Sequence, residues 1–156
     1  MKNTLRIYYD GEGDLLEVIL GKPTSGYFDM LDDGVFQRLD EKTKETRGFS
    51  ILSLKKRIED SMSLDIPFSA DLVLDKRVVM KSDGQIHIHY DVESDLLEIG
   101  TTDCSKGSLV DLGNGIFERT DGAGNILGFA IFSFEKRTQH FKPINVPIQR
   151  KRKILA

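Results

Sequence analysis

Hydrophobic and polar residues alternate with a period of two along much of this 156-residue chain. Leu5, Ile7 and Tyr9 are interleaved with Arg6 and Tyr8, and Ile86, Ile88 and Tyr90 with His87 and His89. That period belongs to a strand with one buried and one wet face. An acidic turn follows each strand, and Leu16, Val18 and Leu20 then line one face of a second strand. Asp33-Gly34 and Asn114-Gly115 carry the signature of type I′ hairpins. The first of them predicts strands over about 26–32 and 34–40. A turn over residues 121–125 leads to a fifth strand around 126–132. This strand is apolar on both faces, with Phe129 and Ile131 against Ala130, Phe132 and Phe134. The first half repeats it with Phe49 and Ile51 against Leu52 and Leu54. A strand apolar on both faces is covered on both. A short helix over about 53–60 is predicted, with Ser53 as its N-cap. A last extended segment over 66–74 carries Pro67, which places it at a sheet edge or a strand start.

The pattern repeats. Tyr9-Asp10, Asp14-Leu15-Leu16-Glu17 and Gly34-Val35-Phe36 recur 81 residues later as Tyr90-Asp91, Asp95-Leu96-Leu97-Glu98 and Gly115-Ile116-Phe117. Gly48-Phe49, Lys56-Arg57 and Ile66-Pro67 recur 80 residues later as Gly128-Phe129, Lys136-Arg137 and Val146-Pro147. Self-similarity at a fixed offset marks a duplicated unit. The expected fold is α+β and mainly antiparallel β. It comprises two repeated meander sheets, each with a short helix, packed with pseudo-twofold symmetry. The repeats span 1–80 and 85–156, with a polar joint at 81–84. Units this small bury little core alone, so pairing them is a route to stability.

These motifs resemble a bacterial and archaeal family, the domain-of-unknown-function family DUF2283, present here as two tandem copies. They are Tyr9-Asp10, Asp14, Gly34-Val35, Gly48-Phe49-Ser50-Ile51 and Lys56-Arg57, with their second set. Most are turn and core residues rather than chemistry. The resemblance implies no established activity. Some members look like small proteins encoded beside toxin-like ribonuclease folds, which implies an antitoxin role.

Composition is that of an ordinary globular chain, with 39% hydrophobic and 30% charged residues. No apolar run reaches the roughly 18 residues of a membrane helix, and the N-terminus lacks the apolar core of a signal peptide. Cys104 is the single cysteine, so no intrachain disulfide forms, and a cytoplasmic setting is expected. Cys104 is read as a loop thiol. Arg150, Lys151, Arg152 and Lys153 form a basic run. Taking these four charges from the net −3 leaves −7 on the remainder. An acidic body argues against general binding to nucleic acid, which needs a basic face. The basic run is the only candidate anion or partner contact of that kind.

Candidate chemistry is sparse. Asp10, Glu12 and Asp14, repeated as Asp91, Glu93 and Asp95, resemble the start of a calcium loop. The bidentate acid such a loop needs is missing, and hairpin-turn aspartates fit better. His87, His89 and Asp91 share one strand face, a spacing that suits zinc or another transition metal. Their first-half counterparts, Arg6, Tyr8 and Asp10, do not. Hydrolase and nucleotide-binding motifs are absent, and no cofactor is implied. Phe28, Phe36, Phe49, Phe117, Phe129, Phe132 and Phe134 are expected in the core. The expected function is a non-enzymatic binding or regulatory module, antitoxin-like, capping a small basic partner protein. The alternative is a small-molecule or metal-binding protein, or a minor hydrolase, with its site between the repeats.

Overall fold

The computed structural model describes residues 4–21, 25–58, 63–68, 72–75, 78–80, 83–102 and 107–147. The first half forms strands β1 (Thr4–Asp10), β2 (Leu15–Leu20), β3 (Gly26–Asp32), β4 (Val35–Asp40) and β5 (Thr46–Leu52). Helix α1 (Leu54–Ile58) follows, then β6 (Ser63–Phe68), β7 (Leu72–Asp75) and β8 (Val78–Met80). The second half forms β9 (Gly84–Asp91), β10 (Leu96–Gly100), β11 (Ser108–Gly113), β12 (Ile116–Thr120) and β13 (Ile126–Phe132). Helix α2 (Phe134–Arg137), a 3-10 turn (Gln139–Phe141) and β14 (Ile144–Pro147) complete it. The protein is mainly antiparallel β, in two six-stranded sheets with two short helices. No helix among the described residues is long and apolar enough to cross a membrane.

The first sheet runs β14-β1-β2-β5-β4-β3 and the second β11-β12-β13-β10-β9-β6. This corrects the expected meander. A meander would place β3 beside β2. Instead β5 pairs with β2 (Leu16↔Ile51, Val18↔Phe49), and β13 pairs with β10 (Leu97↔Ile131, Ile99↔Phe129). Hairpin turn residues specify neighbours close in sequence, but nothing local specifies the β2–β5 contact. The doubly apolar strand takes an interior place, where it has a strand on either side.

Each sheet takes one strand from the other half of the chain. β6 pairs with β9 (Ile66↔Ile86), and β14 pairs with β1 (Val146↔Leu5). Both donated strands are edges, which is where Pro67 and Pro147 can sit without breaking a ladder. The joint ends with Asp83 and Gly84; Lys81 and Ser82 lie outside the described residues.

Alternation becomes burial. Leu5, Ile7 and Tyr9 are buried while Arg6 and Tyr8 are half-exposed. One cluster of buried apolar side chains joins both sheets, both helices and Met80. It includes Ile66 and Val146 from the exchanged strands. Of the expected core phenylalanines, Phe49, Phe129 and Phe134 are buried. Phe36 and Phe117 are half-buried. Phe28 and Phe132 are exposed, as is Leu52, because they lie at a sheet edge or at the end of the doubly apolar strand.

Two further expectations change at residue level. At Asn114-Gly115 both residues have positive φ (56° and 73°), as a type I′ turn requires. At Asp33-Gly34 only Gly34 does. A Cβ on Gly34 would stand 2.5 Å from Nη2 of Arg57. The Arg57 guanidinium also donates to the carbonyls of Leu52 and Asp33. Arg137 lies against Gly115 in the same way, 2.8 Å from where its Cβ would be. Arg57 thus ties its helix to the β3–β4 turn. Ser53 and Ser133 do precede the helices, but in the left-handed region (φ 59° and 57°). Ser133 makes no side-chain cap bond. The caps come from another strand pair.

Candidate functional site

The acidic turns divide their labour. Asp10 Oδ1 accepts the backbone N–H groups of Glu12 (3.0 Å) and Gly13 (3.1 Å). Asp91 Oδ1 accepts that of Glu93 (3.1 Å). These are turn-closing bonds of the kind aspartate favours. Asp14 and Asp95 adopt positive φ (52° and 55°). Asp14 accepts the Tyr9 hydroxyl (2.7 Å) and the N–H groups of Lys55 (2.9 Å) and Lys56 (3.3 Å). Asp95 accepts the Tyr90 hydroxyl (2.6 Å) and the N–H groups of Glu135 (2.8 Å) and Lys136 (3.3 Å). Each aspartate therefore caps the helix of its own half from forty residues away, and each anchors a buried tyrosine. Burial, and then the bond to the aspartate, push both phenols well above their ordinary range, so both stay protonated donors.

The histidine face is also committed. His87 Nδ1 lies 2.8 Å from Asp65 Oδ1, and Nε2 lies 2.8 Å from Asp83 Oδ2. His89 Nδ1 lies 3.0 Å from Ser63 Oγ. Asp91 belongs to its turn. His87, His89 and Asp91 do share a strand face, yet two of His87's contacts are carboxylates on β6 and at the foot of β9. Among the described residues, no three His, Cys, Asp or Glu side chains converge to hold a metal ion. Burial alone would lower the His87 pKa, but hydrogen bonds to Asp83 and Asp65 outweigh it, and the net shift is upward. Elsewhere, burial raises the Glu118 carboxyl above its usual range. Cys104 and the basic run Arg150, Lys151, Arg152 and Lys153 lie outside the described residues.

The groups that do converge come from opposite halves. Phe134 packs between Tyr9 (ring centroids 5.4 Å apart) and Tyr90 (5.8 Å). Lys55 Nζ meets Glu135 Oε1 at 2.7 Å and sits 5.8 Å from the centroid of the Tyr9 ring. Beside this contact opens a cavity of about 460 Å³. Tyr9, Asp10, Gly11 and Glu12 of the first half line one side, and Glu135, Thr138, Gln139 and His140 of the second half line the other. The His140 backbone stands in the left-handed region (φ 60°, ψ 33°), which turns the chain at the cavity rim.

Asp10, Glu12 and Glu135 thus line one cavity, with Glu135 Oε1 paired to Lys55 Nζ and Asp10 Oδ1 closing its turn. A cavity so lined suits a cation. His140 and Glu135 were not singled out from sequence, since neither stands in a motif. The offset of 80 that equates Glu135 with Lys55 was the available signal. No protein-family model, no curated protein and no solved structure matches this chain.

Proposed function

We propose that this chain is a non-enzymatic binding module that caps a basic partner protein, in the manner of an antitoxin. The acid-lined cavity between the halves receives a cationic side chain of that partner. The cavity carries this reading: it is lined from both halves, and Asp10, Glu12 and Glu135 are among its lining residues. Opposite charge also speeds encounter with a basic protein. The reading includes a duplicated unit with pseudo-twofold symmetry, in effect a dimer fused into one chain. Supporting it are the matched registers of β2–β5 and β10–β13, the reciprocal exchange of β6 and β14, and the meeting of equivalent residues Lys55 and Glu135. Membership of the DUF2283 family and a cytoplasmic setting belong to the same reading.

The test is a titration with fluorescent octa-arginine followed by anisotropy. The double variant Asp10→Asn, Glu12→Gln removes two charges, while the asparagine side chain keeps an Oδ1 acceptor for the turn. Binding at least tenfold weaker in the variant, with an unchanged melting temperature, supports the cavity. Equal binding by both proteins, or none by the wild type, overturns it. A cavity of this volume also falls in the size range of small-molecule sites. Displacement of the peptide by a free polyamine at lower concentration would shift the reading to a small cationic ligand.

A further inference from the structure

Each six-stranded sheet has two edges, and the chain treats them differently. One edge of each sheet is the exchanged strand, β14 or β6, carrying a proline. Among the described residues, the other edges are β3 and β11. Strand edges of soluble proteins are normally blunted with proline or lysine, or covered. β3 reads Gly26-Tyr27-Phe28-Asp29-Met30-Leu31-Asp32 and has no proline or lysine; a bulge between Met30 and Asp32 and the charges of Asp29 and Asp32 are its only devices of this kind. Tyr27, Phe28 and Met30 are 43%, 56% and 63% exposed, and Asp29 between them is exposed too; the Arg38 guanidinium lies 5.6 Å from the centroid of the Phe28 ring and Lys44 Nζ 5.3 Å from that of Tyr27. Leu31 packs against the core and fixes its far end.

The ladder shows which backbone groups are offered. Glu41 N–H donates to the Ser25 carbonyl at 3.0 Å. Bonded and non-bonded pairs alternate along an antiparallel ladder. From the register Gly26↔Asp40 to Met30↔Phe36, the inward-bonded residues are Tyr27 and Asp29. The N–H and C=O groups of Phe28 and Met30 therefore point away from β4, along the open edge.

The geometry points to β3 as a docking edge for an extended segment of a basic partner, added to the first sheet as a seventh strand with alternating apolar and basic side chains. This rests on the basic-partner reading and names the surface and the form of the partner. Charge selects the occupant. Asp29, Asp32 and Asp33 lie on β3 and its turn, with no basic residue among positions 26–33. Residues 26–45 as a whole hold six acidic and three basic side chains. A second copy of the chain is disfavoured by the same charges. The other open edge, β11, carries Asp111 and no basic residue, so pairing β3 with β3 or with β11 brings like charges together. A partner strand with basic residues beside Asp29 and apolar residues beside Phe28 and Met30 meets no such penalty. Main-chain bonds supply affinity in this mode, and alternate side chains supply specificity.

The experiment uses the full chain and a synthetic peptide of alternating valine and lysine, with amide hydrogen exchange read by NMR. Slowed exchange at the Phe28 and Met30 amides, by tenfold or more, is the expected result. Phe28→Pro removes one outward N–H, and Met30→Lys places a like charge on the edge. Both variants should lose peptide binding by at least tenfold, and Met30→Lys covers the case in which the proline disturbs the fold. Asp10→Asn, Glu12→Gln should leave the slowed exchange at the Phe28 and Met30 amides unchanged, which separates the edge from the seam cavity. Octa-arginine binding at the seam with no protection of β3 would overturn the edge while leaving the basic-partner reading intact. Failure of both peptides would overturn both. Equal binding of an alternating valine–serine peptide would overturn the charge argument. Concentration-dependent dimerisation abolished by Met30→Lys would assign the edge to a second copy instead.

Discussion

Asp14 and Asp95 show how one residue type settles several local questions at once. Each takes a left-handed backbone that few non-glycine residues tolerate, and aspartate is among the few. From there its carboxylate satisfies two orphan N–H groups of a helix too short to hold itself. It also accepts the hydroxyl of a tyrosine in the core. Asp14→Ala removes both acceptor oxygens, and with them three hydrogen bonds, and leaves the Tyr9 hydroxyl unpaired beside the core. Lost capping and an unmade buried bond together are expected to cost about 2–3 kcal/mol. Asp14→Asn keeps one acceptor and the tolerance for positive φ, and should cost less. Urea unfolding of the two variants checks the order. Equal stability of wild type and Asp14→Ala would show that the cap is idle. The recurrent Tyr–Asp spacing is accounted for by this architecture without any catalytic role.

At the scale of elements, most strands of the two large sheets were legible, while the β7–β8 pair, read as part of one extended segment over 66–74, and the strand neighbours were not. The period of two located β1, β2, β9 and β10, and the turn glycines located the hairpins of β3 with β4 and β11 with β12. Those signals are local. The β2–β5 contact joins residues about 35 apart, and β6 reaches β9 across the joint, so both depend on which apolar faces meet in three dimensions. Pro67 announced an edge but not the sheet to which that edge belongs. The seam cavity was unreadable for the same reason, since its lining is drawn from positions about 125 residues apart. What fastens β6 to β9 gives a prediction at this scale. His87 on β9 contacts Asp65 on β6 and Asp83 at the strand's foot, and both ring nitrogens face carboxylate oxygens. Only the doubly protonated ring donates to both. His87 has a folded pKa raised above the unfolded value of about 6.5. Its contribution is then complete below the unfolded pKa and is lost as pH rises through the folded one. The urea midpoint of the wild type should fall on going from pH 6 to pH 8, and His87→Gln should lose most of that dependence. An equal fall in the variant would place the titrating group elsewhere.

For the molecule as a whole, reciprocal exchange means that neither half can complete its own sheet. Without β14, β1 exposes a bare edge beside Leu5 and Ile7, and without its partner half Phe134 loses the Tyr9 ring. The exchanged strands contribute Ile66, Ile144 and Val146 to the shared core, and truncating a single such side chain typically costs about 1–5 kcal/mol. Domain stability is only about 5–15 kcal/mol in total, so losing a whole strand and its facing layer is enough to unfold a half. Residues 1–80 and 81–156, produced separately, should each lack a cooperative unfolding transition as a monomer. Mixed, they should recover one at a 1:1 ratio. On the proposed pseudo-twofold reading, self-pairing of either half is weaker than mixed pairing, because the position where Lys55 meets Glu135 would then hold two like charges. An exposed pair contributes at most about 1 kcal/mol, so that preference is modest, whereas the requirement for two halves is not. Circular dichroism melts of each half and of the mixture decide the matter, and a cooperative melt of either half as a monomer would refute the interdependence.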